Sequence, residues 1–136
     1  MKYAFILSLL AAPVFADCSD GTDYSDEIAQ IVADMQAAPD PGTAQVLSGQ
    51  MWEIWLDAPD EMAQAMLDDG LALLRVGDYA SSYTALSGLI EYCPDYPEGY
   101  NQRAFGAFLS GSYDAALVDL EAAIALQSVH LGALTG

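Results

Sequence analysis

The chain has 136 residues, with 20 Asp or Glu against three Lys or Arg and a formal charge of −17. That balance excludes a nucleic-acid binder, which needs the opposite sign, and opposes attachment to anionic lipid. The length bounds one small domain, large enough for a real core.

The first residues read MKYAFILSLLAAPVFA. Lys2 is a positive flank, Tyr3 to Val14 is an apolar run, and Val14 and Ala16 are small residues placed for cleavage. This pattern predicts a Sec-type signal peptide over residues 1–16, hence a periplasmic protein with no membrane anchor after cleavage. An uncleaved span would need about 20 apolar residues, and Asp17 and Asp20 interrupt this run early. Asp17 before Cys18 also opposes lipidation. Loss of Lys2 leaves two arginines, Arg75 and Arg103, against 20 carboxylates, a side-chain charge of −18. Such a surface suits solubility or a salty medium, and a cationic partner is the functional alternative.

Residues 17–24 form an acidic stretch, read as a solvated tail leading to a helix cap. Its glycine is misplaced for a calcium loop. Cys18 and Cys93 are the two cysteines. In an oxidising compartment they can pair; the alternative is two free thiols, with Cys93 a small buried residue.

A single helical domain is expected over residues 25–136. Ser25 is read as the first N-cap, with Asp26 and Glu27 in the opening turn. Ile28, Ile31, Val32 and Met35 then recur at helical spacing. Pro39 and Pro41 break the chain, and Thr43 is read as the cap of a second helix whose stripe includes Val46, Leu47, Met51, Ile54 and Trp55. Further helices are expected at about 60–76, 79–92, 98–109 and 113–127, with Gly77 and Gly111 as turn residues. No segment alternates with a period of two, so the fold class is all-α.

The fragments GDYASSYTAL and GSYDAALVDL stand 34 residues apart. They mark an internal repeat, units 63–96 and 97–130, each a helix, a tight turn and a helix. Ser82 and Ala116 are small where paired helices meet; Leu86 with Leu120, and Ile90 with Ile124, fill the seam. This spacing and glycine–tyrosine turn resemble the tetratricopeptide repeat (TPR). Asp69 and Arg103 depart from that pattern, standing where a leucine is common. The pair at about 25–57 has the right length but lacks the turn, so it is read as divergent or capping. The phrases MWEIWLDAPD and YCPDYPEGYNQRAF resemble those of short exported bacterial proteins of this type.

The resemblance implies a short right-handed α-solenoid of antiparallel helix pairs, about six helices plus a C-terminal stub, acting as a non-enzymatic scaffold or adaptor for a protein or peptide. It implies that Leu67, Leu71 and Leu74 in one unit, and Asn101, Phe105 and Phe108 in the next, border the concave binding face. The alternative for these six is packing against neighbouring helices. Without a groove lysine, a clamp for a peptide carboxylate is not expected. Trp52 and Trp55 are read as core. The closing LGALTG starts a third unit, so Leu126, Leu131 and Leu134 lie on a partly open edge or are covered by those six residues folding back. An open edge would make a self-associating structural subunit, a homodimer for example, the alternative function.

No catalytic, metal or cofactor residues are assigned. His130 is the lone histidine and is read as structural or surface; adjacent acids such as Asp68 and Asp69 are expected by chance. No phosphate-binding loop, nucleophile elbow or zinc spacing is present.

Overall fold

The computed structural model describes residues 18–135, which form seven α-helices and no strand. The signal-peptide reading falls on residues outside the described ones. The helices are α1 Ser25–Gln36, α2 Pro41–Trp55, α3 Glu61–Arg75, α4 Tyr79–Tyr92, α5 Pro97–Leu109, α6 Tyr113–Leu126 and α7 Leu131–Thr135. Consecutive helices pack on one another in a short helical solenoid, α3 on α4, α4 on α5, α5 on α6 and α6 on α7.

Aspartates cap three of the helix starts, those of α2, α3 and α4. Asp60 Oδ1 accepts from the Ala63 N–H at 2.8 Å, and Asp78 Oδ1 from Ser81 N–H at 3.1 Å. Two of the expected caps are displaced. Thr43 lies inside α2, and Asp40 is the cap, accepting from the Thr43 N–H at 3.0 Å and its hydroxyl at 2.8 Å. Pro41 opens the helix rather than blocking it, because a first-turn residue needs no N–H partner. Ser25 is likewise the first residue of α1, and Asp23 accepts from its N–H at 2.9 Å.

The two repeat turns are the same structure. Gly77 and Gly111 have φ of 79° and 81°. At the first, the Gly77 N–H donates to Leu74 O and the Asp78 N–H to Leu73 O. At the second, Gly111 donates to Phe108 O and Ser112 to Ala107 O. This pair of bonds closes a helix only when the residue after the cap is left-handed, which glycine adopts without steric cost. In α3–α4 the helices approach so closely that a Cβ on Gly70 would lie 2.5 Å from Leu86 Cδ2, and the Ser82 hydroxyl donates to Gly70 O at 3.0 Å. Leu67, Leu86 and Leu89 are fully buried there, each stabilising by about 1.5–3 kcal/mol through lost water contact.

Arg103 departs from the repeat pattern for a visible reason. Its guanidinium meets Asp119 of α6 through Nε at 2.8 Å and Nη2 at 2.7 Å, and Nη1 donates to Ser87 Oγ of α4 at 3.0 Å. One side chain thereby ties three helices. These bonds with Asp119 raise the affinity of the guanidinium for its proton.

The N-terminal segment is exposed over residues 19–23 and is tied to the helices. Cys18 and Cys93 are joined by a disulfide with Cα atoms 5.1 Å apart. The Ser19 N–H donates to Asp60 Oδ2 at 3.1 Å, and the Tyr24 hydroxyl donates to Asp57. Helices α1 and α2 build their own cluster from Ile28, Ile31, Met51 and Trp55, completed by Leu131 at the far end of the chain. The closing residues therefore fold back, against both α6 and the first helix pair.

Candidate functional site

The first helices of the two repeats, α3 and α5, border an open groove of about 670 Å³ lined by Asp68, Leu71, Leu74, Arg75, Gln102 and Phe105. Three of the six residues expected on the binding face line it: Leu71, Leu74 and Phe105. Leu71 and Phe105 are repeat equivalents. Phe105 is 51% exposed, while Leu74 is 8% exposed and forms the floor.

The other three lie elsewhere. Leu67 is fully buried in the α3–α4 core. Its repeat equivalent Asn101 is also buried, donating through Nδ2 to Glu98 at 3.1 and 3.2 Å. Both positions turn inward because neighbouring helices cover that side of α3 and α5, so they are unavailable to a partner. Phe108 is 52% exposed but lies off the groove, its ring 5.6 Å from that of Tyr113. Asp68, Arg75 and Gln102 join the groove without any signal in the repeat pattern. A seven-residue helical step places Asp68 and Arg75 roughly 10 Å apart along α3, so the groove carries an acid, an apolar middle and a base. The Arg75 Nε donates to Leu71 O at 3.3 Å, and no carboxylate among the described residues pairs with its guanidinium.

A buried polar knot lies where the first helix pair meets α5 and α7. His130 and Glu98 have side chains 0% and 1% exposed, with Nε2 and Oε2 2.7 Å apart. The Ala133 N–H donates to His130 Nδ1 at 3.2 Å. Nδ1 therefore accepts through its lone pair, which leaves the proton on Nε2, donated to Glu98 Oε2. Asn101 and Gln102 supply further donors to the same carboxyl group, so its oxygens are hydrogen-bonded inside the protein. The imidazole stacks on Trp55 at 4.3 Å, with Trp52 edge-on to Trp55 at 5.3 Å. Tyr96, the repeat equivalent of His130, donates from its hydroxyl to Trp55 O at 2.5 Å, and burial raises its affinity for the phenolic proton. Every polar atom of the His130 side chain is thus spent on structure. Spacing along the chain carries no signal for this knot, since Trp55, Glu98 and His130 are far apart in sequence.

Among the described residues, no three of His, Cys, Asp and Glu stand close enough together to hold a metal ion, and no helix is long and apolar enough to cross a membrane. A TPR repeat-containing protein of Rhizobium etli is 23% identical over 144 aligned positions, covering all of this chain and 71% of that protein. The all-helical fold agrees with that relative's name. No family model and no solved structure matches the chain.

Proposed function

We propose that the chain is a non-catalytic binding module for a peptide or protein segment, exported to the periplasm, and that the α3/α5 groove holds the partner. The observation that carries this reading is the groove itself, with half-exposed Phe105 and an Arg75 that meets no carboxylate among the described residues beside an apolar floor. Its volume is in the range of ordinary ligand sites, and proteins with TPR repeats generally bind proteins or peptides. The apolar leader and the Cys18–Cys93 bond both fit an oxidising compartment. The fitting partner is an apolar segment flanked by a basic residue for Asp68 and an acidic one for Arg75. The test is selection from a random peptide library on the wild-type chain, followed by binding of the selected peptides to Phe105→Ala and Arg75→Glu. Related sequences that lose binding to both variants support the reading. Failure to enrich any related sequences, or equal binding to the variants, removes it.

A second reading is self-association through the C-terminal edge. Leu126 and Leu134 are 42% and 53% exposed there. Sedimentation at increasing concentration separates the two: a monomer throughout argues against an assembling subunit.

A further inference from the structure

The two repeats differ in what covers them. Helix α5 packs across the first unit, where Leu74 and Leu86 are buried and Tyr79 is half-buried. Their equivalents in the second unit, 34 residues on, are Phe108, Leu120 and Tyr113. Phe108 is exposed, Leu120 is half-buried and Tyr113 is 64% exposed. Helix α7 takes only the places that residues 97–101 take in α5. No described residue takes the places of residues 102–109, about 12 Å of helix. The face left open is one apolar stripe. Tyr113, Leu117, Leu120 and Ile124 recur at i, i+4, i+7 and i+11 along α6, and the Phe108 ring lies 5.6 Å from that of Tyr113.

Charge on this face indicates the kind of occupant. In the first unit, the covering helix lays Arg103 over the Tyr83 ring, 5.1 Å from its centroid, and Nη1 donates to Ser87 Oγ at 3.0 Å. The equivalents of Tyr83 and Ser87 on α6 are Leu117 and Glu121. A carboxylate therefore stands on α6 where α4 receives a guanidinium, with an apolar side chain beside it to carry the stem of a long basic residue. Glu121 is exposed and has no hydrogen bond or ion pair among the described residues. A second copy of this chain suits the face poorly. It brings the same excess of carboxylates, and of its two described arginines Arg103 is already held by Asp119.

We infer that this face binds a basic amphipathic helix of another protein, laid across Phe108, Tyr113 and Leu117 as α5 is laid across the preceding unit. Its apolar stripe packs on the stripe of α6, and a lysine or arginine on its flank meets Glu121. A small residue belongs at the crossing with Phe108, as Gly106 stands at the crossing with Leu74. None of these α6 residues lines the α3/α5 groove, so the site stands or falls independently of it.

The test is selection from a displayed library of helical peptides on the wild-type chain, with counter-selection on Leu117→Asp. Enriched peptides that carry a base beside an apolar stripe support the site, and their affinity for Leu117→Asp falls by about tenfold or more, as loss of a central apolar anchor does. Glu121→Lys weakens the same peptides, and changing their base to Glu restores binding to that variant. Arg75→Glu, in the groove, leaves them unaffected. Leu117 and Glu121 are both exposed, so these changes spare the fold. Failure to enrich any helix, enrichment with no preference for a base, or no rescue by the charge exchange overturns the proposal. So does a wild-type dimer in sedimentation that Leu117→Asp turns into a monomer, because the occupant is then a second copy.

Discussion

Leu74 and Phe108 occupy the same place in successive repeats, 34 residues apart, yet Leu74 is 8% exposed and Phe108 is 52% exposed. The difference lies in the helix that succeeds each unit. Helix α5 crosses Leu74 so tightly that a Cβ on Gly106 would lie 2.9 Å from Leu74 Cδ2. After α6 comes α7, five residues long, which packs near Trp52 and His130 and leaves Phe108 uncovered.

Equivalent substitutions at these two positions therefore have unequal effects. Leu74→Ala lowers the free energy of unfolding by about 2–4 kcal/mol, the cost of a cavity under α5. Phe108→Ala costs less than about 1 kcal/mol. Urea unfolding of both variants measures this, and equal losses would show that Phe108 is packed in solution.

The His130 knot predicts a tautomer. With Ala133 N–H facing Nδ1, the ring carries its proton on Nε2, and ¹⁵N chemical shifts of the imidazole distinguish the two forms. His130→Ala removes the donor to Glu98 and the ring stacked on Trp55, leaving a partly unpaired buried carboxylate. A loss of about 3 kcal/mol is expected. A change below about 1 kcal/mol would mean that Glu98 finds water instead.

The Cys18–Cys93 bond closes a loop spanning 75 positions of sequence. Replacing both cysteines by serine lowers stability by about 4 kcal/mol in the chain-entropy picture. Hydrogen exchange is expected to show the loss at Ser19 and Tyr24 first, because the bond pins that segment to the start of α3 and the end of α4. Unchanged unfolding in the reduced chain would place the anchoring in the hydrogen bonds of Ser19 and Tyr24.

Acid weakens the helix starts. Backbone and side-chain donors at Asp40, Asp60 and Asp78 hold these carboxyls below their ordinary value of 3.8. Because the folded-state pKa is the lower one, each cap contributes stability that is complete above the ordinary value and is lost as pH falls through the folded one. Thermal unfolding from pH 7 to pH 2 should show the melting temperature falling below about pH 4. Asp60→Asn, which keeps the cap without the titration, should flatten part of that fall. An unchanged profile would mean that other carboxylates control acid unfolding.

Much of the fold was legible in the sequence because it rests on local rules. Helical spacing of apolar residues, breaks at Pro39 and Pro94, and paired glycine turns each act over a few residues, and the all-α repeat results from them. The candidate groove was half legible. Position within a repeat indicates which helix faces the groove, and so found Leu71, Leu74 and Phe105. It could not tell that another position one turn away on the same helix faces inward, as at Leu67 and Asn101.

By itself the sequence determined the helices, their turns, the acidic surface and the pair of cysteines, since each depends on residue type and near neighbours. Only the tertiary structure decided that α1 and α2 close against the far end of the chain, that Trp55 meets both Tyr96 and His130, and that buried Glu98 meets Asn101, Gln102 and His130. Those contacts join residues from separate parts of the chain, and their free energy depends on distance and on exclusion of water, neither of which a linear spacing records.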